Sequence, residues 1–235
     1  MSEVVDQLPA SANLALASSY YTLEARLIDM PAPDIELAPG SETVIICERD
    51  DIELAQALAR QLRQSEITVS AISYKTLRVQ TSALSEHKPR YLVLILPRYS
   101  TNPAADDVLR QSVMRLQSVL GSVNWQPEPT LMIVQFAGGQ FGLKQSNAQL
   151  DQMGCRTLAA SWYLSHPQSS VRVLDCAPEI EPYEFAELVV AELCHSDGFR
   201  ALGYDIHGQY HQVTPVYVSA KASQSPPSPF SVNSV

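Results

Sequence analysis

No glycine follows the first strong apolar strand of this chain, and none of its four cysteines forms a CxxC pair. Nor does any apolar run reach the roughly 20 residues needed to cross a bilayer. Basic charge is also scarce: 16 lysines and arginines face 25 acidic residues, which leaves a formal net charge of −9 and a pI of about 5.0. Each shortage excludes something. Without a clustered basic surface the chain has no footprint for nucleic-acid phosphates, and without a spanning segment it is expected to have no membrane partner. Cys47, Cys155, Cys176 and Cys194 sit in apolar or helical segments and read as reduced thiols. The histidines are not at ligand spacing, so no metal site is expected. The first residues carry no basic stretch ahead of an apolar core, hence no secretory signal, and cytoplasm is the expected compartment.

What is present suits a globular chain: 46% hydrophobic and 17% charged residues over 235 positions, enough for one sizeable α/β domain. Residues 1–19 are small and polar and read as a linker. Tyr20–Asp29 partly alternates, as an edge strand does. Four continuous apolar runs then mark strands buried on both faces: residues 43–47 (TVIIC), 91–96 (YLVLIL), 131–136 (LMIVQF) and 171–175 (VRVLD). A further strand is expected over 67–72. Helical spacing appears after Asp50 or Asp51, either of which can cap a helix carrying Leu54, Ala55, Leu58 and Leu62. It recurs over Ala104–Leu120, Asn147–Leu164 and Tyr183–Cys194, the last opened by Pro182. Arg200–Tyr204 and Tyr210–Val213 read as a closing pair across a turn at Gly208. Alternating strands and helices predict a doubly wound, mostly parallel, Rossmann-like sheet from residue 20 to 218. Residues 219–235, rich in Ser and Pro, read as a tail or linker.

The chemistry such a fold usually carries is missing. A dinucleotide site needs a GxGxxG turn after the first strand, where glycines let the backbone approach a pyrophosphate at a helix N-terminus. Here the turn reads Glu48-Arg49-Asp50-Asp51, and its carboxylates repel phosphate. Gly138, Gly139 and Gly142 follow a later strand and read as a turn that needs positive φ or close packing. A Tyr-x-x-x-Lys pair, the proton-donating device of short-chain reductases, occurs once, at Tyr217 and Lys221, beyond the helices that would pack under a cofactor. A receiver-type phosphorylation site is excluded as well. The third strand ends in Leu96-Pro97-Arg98 without an aspartate, and Asp175 is followed by Cys176 rather than lysine. His207 and His211 flank a turn and are expected to be exposed. Trp125 and Trp162 read as packing residues. Glu181, Glu184, Glu187 and Glu192 read as a solvated helix face.

The order of short segments resembles the ketoreductase region of modular polyketide synthases and polyunsaturated fatty acid synthases, specifically its non-catalytic structural half. Tyr21-Thr22-Leu23-Glu24-Ala25 matches the opening tyrosine strand, with Ala25 where that family has tryptophan. The weak Rossmann unit of Thr43–Leu62 and the segment Gly138-Gly139-Gln140-Phe141-Gly142 follow in order. Gly154-Cys155-Arg156-Thr157-Leu158-Ala159-Ala160-Ser161-Trp162 matches a family helix, with Arg156 for lysine, Ser161 for glutamate and the proline delayed to Pro167. Val171–Asp175 matches the next strand, and Gly203-Tyr204-Asp205 with Gly208-Gln209-Tyr210 the closing hairpin.

The resemblance implies a structural subdomain that packs against a catalytic ketoreductase subdomain. That partner would hold NADPH and reduce β-ketoacyl thioesters on acyl carrier protein, which this chain would meet only indirectly. On this reading no residue of this chain is catalytic, cofactor-binding or metal-ligating. Two other readings stand beside it: a self-sufficient NADPH-dependent short-chain reductase using Tyr217 and Lys221, and a free Rossmann-like adaptor.

Overall fold

The computed structural model describes residues 20–74, 88–98, 129–143, 150–196 and 198–218, together with residues 114, 117, 119 and 120. The expected linker and tail, Trp125, Lys221 and most of the Ala104–Leu120 helix lie outside the described residues. Residues 114, 117, 119 and 120 of that helix are helical, with Val119 and Leu120 buried.

The strands are β1 (Tyr20–Ile28), β2 (Glu42–Cys47), β3 (Thr68–Ser73), β4 (Tyr91–Ile95), β5 (Thr130–Gln135), β6 (Val171–Cys176), β7 (Phe199–Tyr204) and β8 (Tyr210–Val218). The helices are α1 (Ile52–Gln64), α2 (Leu150–Ser165) and α3 (Pro182–Leu193), and a 3-10 turn, Arg49–Asp51, precedes α1. Ala25–Thr214 forms one compact unit; the outer ends of β1 and β8 belong to a second, of which residues 20–24 and 215–218 are described as strand.

The strands lie in the order β1-β8-β7-β6-β5-β4-β2-β3. From β3 to β7 all neighbours are parallel, and β7 and β8 run antiparallel, joined through the turn at Gly208. This is the doubly wound, mostly parallel sheet expected from the alternation of strands and helices. From β2 the chain passes outward to β3 and then returns across β2 to β4, which places a topological switch point between β2 and β4.

Burial explains the apolar runs. β4 and β6 have every residue buried, and β2 and β5 all but the first. Side chains alternate between two cores, as the two-residue period of a strand requires. Ile45, Val93, Met132 and Val134 face α1 and α3. Val44, Ile46, Leu92, Leu94, Ile133 and Val173 face the other layer with Cys155 and Ala159 of α2. In α1, Leu54, Ala55, Leu58 and Leu62 fill the inner face while Glu53, Gln56, Arg60 and Arg63 stay exposed. Pro182 opens α3, where a missing N–H costs no helical hydrogen bond.

Most expected elements agree to within a residue at the ends that are described, but the closing strand expected at Tyr210–Val213 runs on to Val218. The long helix expected over Asn147–Leu164 is described from Leu150 to Ser165, and residues 147–149 lie outside the described residues. The strand expected at 67–72 is Thr68–Ser73, because Glu66 adopts a left-handed φ of 60° and Ile67 turns its N–H back to Leu62.

Candidate functional site

Open α/β sheets bind ligands beyond the carboxyl ends of their strands, at the switch point. Here that crevice lies between the end of β2 and the end of β4, and side chains of this chain close it. Asp51, only 2% exposed, accepts from Arg98 Nε at 3.0 Å and faces the Arg98 backbone N–H at 3.4 Å. Arg98 also pairs with Glu53. Asp51 does occupy the N-cap position of α1, but its side chain makes no capping bond, contrary to the expected helix cap. The carboxylate is drawn to Arg98 instead, since a charged pair outcompetes an amide for it. Burial pushes the Asp51 pKa up, and the Arg98 hydrogen bonds oppose that rise.

Beside this pair lies a cavity of about 330 Å³ lined by Cys47, Glu48, Arg49, Ile52, Ala71, Ile72 and Ser73. Its floor is apolar and its thiol is inert: burial and the nearby carboxylates of Asp51 and Glu48 push Cys47 up to about 11.

The second candidate is the glycine turn after β5. Gly138, Gly139 and Gly142 have φ of 86°, 78° and 71°, and Phe141 between them has 54°. Such a run of left-handed residues turns amide N–H groups inward, as an anion-binding nest does. The anion is internal. Asp175, at the carboxyl end of β6, is fully buried and accepts from the Ala137 N–H and the Phe141 N–H, both at 2.6 Å. Gln135 of β5 is its ladder neighbour. Burial pushes Asp175 up to about 7 against the pull of these donors.

The glycines also satisfy a packing need. A Cβ on Gly139 would overlap the Tyr204 carbonyl, and one on Gly203 would overlap the Gly139 carbonyl oxygen. The cluster therefore packs its backbone against the end of β7, as the turn reading of Gly138, Gly139 and Gly142 expects.

A polar cluster sits next to this turn on the β7–β8 hairpin. His211 Nε2 lies 2.7 Å from Asp205 Oδ2, and both residues are buried. Asp205 Oδ1 accepts from the His207 and Gln209 N–H groups, and Gln140 reaches both Asp205 and His211. Although burial raises it, these hydrogen bonds, His211 first, hold the Asp205 pKa below its ordinary value. The expectation that both turn histidines are exposed holds for His207 and fails for His211, which the hairpin folds inward against Asp205.

The glutamate face of α3 needs the same correction. Glu181 and Glu187 are exposed, but Glu192 is buried and pairs with Arg200 at 3.0 Å, and Glu184 accepts from the Tyr204 hydroxyl. Trp162 packs by stacking on His166, with ring centroids 4.3 Å apart.

Tyr217 lies in β8, not in a helix. Lys221, the other member of the Tyr-x-x-x-Lys pair, lies outside the described residues. At the opposite end of the sheet, the fully buried Arg172 donates to the carbonyls of Val171 and Gly198 at 3.1 Å each, and to that of His195. Sequence reading passed over it, although a cation inside the apolar run VRVLD is itself a signal of buried hydrogen bonding. Among the described residues no group of three or more His, Cys, Asp or Glu side chains is placed to hold a metal, and no helix is long and apolar enough to cross a membrane.

The two turns differ in what they present. One has no glycine and presents carboxylates; in the other the Ala137 and Phe141 amides are held by Asp175, and those of Gly138 and Gly142 by backbone carbonyls.

No family model matches the sequence, and no curated protein matches it. Solved structures share the fold. The A-type ketoreductases from a modular polyketide synthase superpose with a TM-score of 0.54 at 15% identity, over 90% of this chain and 44% of theirs. An A1-type ketoreductase gives 0.52 at 14% identity, over 86% of this chain and 42% of that one. A GDP-L-fucose synthetase from Naegleria fowleri bound to NADP gives 0.51 at 7% identity, over 79% of this chain and 83% of that one. The chain thus spans less than half the length of the ketoreductases it matches. At these identities the shared property is the fold, a Rossmann-like sheet.

Proposed function

We propose that this chain is the non-catalytic structural half of a ketoreductase in a polyketide or polyunsaturated fatty acid synthase. It packs against a catalytic half that binds NADPH and reduces a β-ketoacyl thioester carried on acyl carrier protein. The observation that carries this reading is the double closure of the ligand edge: Arg98 neutralises Asp51 at the switch point, and Asp175 consumes the inward amides of the glycine turn. A Rossmann sheet closed in this way retains the scaffold and gives up the cofactor. The ordered family segments, and the fold shared with the ketoreductases over 86% and 90% of this chain, support the same assignment.

Calorimetric titration of this chain alone with NADPH tests it. The expected result is no binding below millimolar concentration, whereas micromolar binding overturns the proposal. A second measurement examines the positive half of the claim. Addition of this chain to a catalytic ketoreductase half expressed on its own should raise that half's thermal midpoint and its turnover of a β-ketoacyl thioester.

A further inference from the structure

Residues 29–41 connect β1 to β2 and cross the C-terminal ends of α3 and α1 on the way. Both crossings are pinned. Over α3, the Asp34 and Ile35 N–H groups donate to the Cys194 carbonyl at 3.0 and 3.1 Å. The Asp34 carboxylate in turn accepts from the Ser196 N–H at 2.8 Å and the Ser196 hydroxyl at 2.6 Å. Beside α1, the Gly40 N–H donates to the Glu66 carbonyl at 3.0 Å, and the Ala38 N–H to the Tyr91 hydroxyl at 3.1 Å.

Between these pins the segment and the two helix ends enclose a cleft of about 620 Å³. That volume falls within the roughly 300–1,000 Å³ of small-ligand sites. Pro33, Ile35, Leu37 and Pro39 line it from the segment, and Val190 from α3. Glu36 and Glu66 also line it and are exposed. Among the described residues no lysine, arginine or histidine lines it; Arg63, near the end of α1, lines a different cavity toward β3.

Glu66 stands where local physics disfavours it twice. The Ile67 N–H returns to the Leu62 carbonyl and the Glu66 N–H to that of Arg63, the two bonds of a Schellman ending for α1. Such an ending puts Glu66 in the left-handed region, at a φ of 60°, where glycine is the favoured residue. A carboxylate just past a helix C-terminus also faces the negative end of the macrodipole. The cleft is therefore apolar inside and negative at its edge, with no cation of its own to balance it.

We infer that this cleft receives an arginine or lysine side chain of a partner polypeptide, flanked there by apolar residues. The cation pairs with Glu36 and Glu66 beside the end of α1, and the flanking side chains cover Ile35, Leu37 and Val190. Charge complementarity selects this occupant: an acidic or neutral segment would leave the carboxylates unanswered. The pinned segment needs little ordering to receive it, and such preorganisation favours binding.

NMR titration of the full chain with acetyl-Leu-Arg-Leu-amide reads the site directly. Saturable shifts are expected at Ile35, Leu37, Glu66 and Val190, with a Kd of about 1 mM. Acetyl-Leu-Gln-Leu-amide should bind about fivefold more weakly. Glu66→Gly separates binding from folding. It should raise the thermal midpoint by about 2 °C, because glycine suits the left-handed turn. The same variant should weaken the arginine peptide about threefold or more. Glu36→Gln should weaken it likewise, whereas Glu181→Gln, at the far end of α3, should not.

The absence of saturable shifts below roughly 20 mM overturns the inference, as does equal binding of the arginine and glutamine peptides. So does a Glu66→Gly variant that binds as tightly as the original. A loss at Glu181→Gln equal to that at Glu66→Gly would mean that net charge alone acts, and the site falls. If n-butylammonium chloride binds as tightly as the arginine peptide, the cleft is a small-amine site and the docking inference falls with it. None of these outcomes bears on NADPH binding, so the proposed function stands or falls separately.

Discussion

Two strand-to-helix turns at the same end of the sheet reach the same closed state by opposite chemistry. The turn after β2 has no glycine and three carboxylates within Glu48–Asp51, and an arginine from the end of β4 neutralises the one that is buried. The turn after β5 has three glycines and inward amides, and a buried aspartate from the end of β6 satisfies them. In the first the protein contributes the cation that a carboxylate needs. In the second it contributes the anion that a nest needs. A crevice built to receive phosphate can therefore be closed from either side of the charge balance, and both closures draw on the neighbouring parallel strand.

The comparison predicts that the glycine turn is the more expensive of the two to reopen. Asp175→Ala leaves two fully buried amides without an acceptor, at about 1–3 kcal/mol each, so a loss of about 4 kcal/mol is expected from chemical denaturation. A loss under about 1 kcal/mol would mean that the nest is open to water. The pH dependence gives a second handle. Asp175 has a folded pKa raised from 3.8 to about 7, so the folded state holds the extra proton between those values. Stability should fall as pH rises from about 4 to about 7 and level off above. Asp175→Asn, which has no proton to exchange, should lack that slope.

Gly203→Ala strikes the same turn through packing rather than charge. The new methyl group would overlap the Gly139 carbonyl oxygen, and the backbone on one side has to move. A cost of about 3 kcal/mol is expected, measured as a lower denaturation midpoint at unchanged m-value. A neutral result would show that the glycine turn and β7 are not in contact.

The smallest effect is expected at the switch point. Arg98→Ala strands the buried Asp51 carboxylate, yet Glu53 is largely exposed and rehydrates freely. The expected cost is about 2 kcal/mol, below the figure for a fully buried pair. Adding Asp51→Asn should recover part of it, because the stranded charge goes with it. If Arg98→Ala costs more than Asp175→Ala, the ranking of the two closures is reversed.

Most of the architecture was legible from pattern. The runs at 43–47, 91–96, 131–136 and 171–175 are strands because continuous β-branched and leucine sequence suits burial on both faces. The α1 face was legible because its apolar residues keep helical spacing. The reading of Gly138, Gly139 and Gly142 as a packed turn likewise agrees with their positive φ. Three side chains were misread for one shared reason. Asp51 looked like a cap, His211 like an exposed turn residue and Glu192 like a solvated glutamate. Local sequence holds no record of Arg98, Asp205 or Arg200, the distant partners that draw each of them in.

By itself the sequence determined a doubly wound sheet with an acidic, glycine-free first turn, because periodicity and composition act over a few residues at a time. Only the tertiary structure decided that the second turn is closed as well. Asp175 and Phe141 are 34 residues apart, and a carboxylate fills a nest only where parallel neighbours bring the end of one strand against the turn of the next.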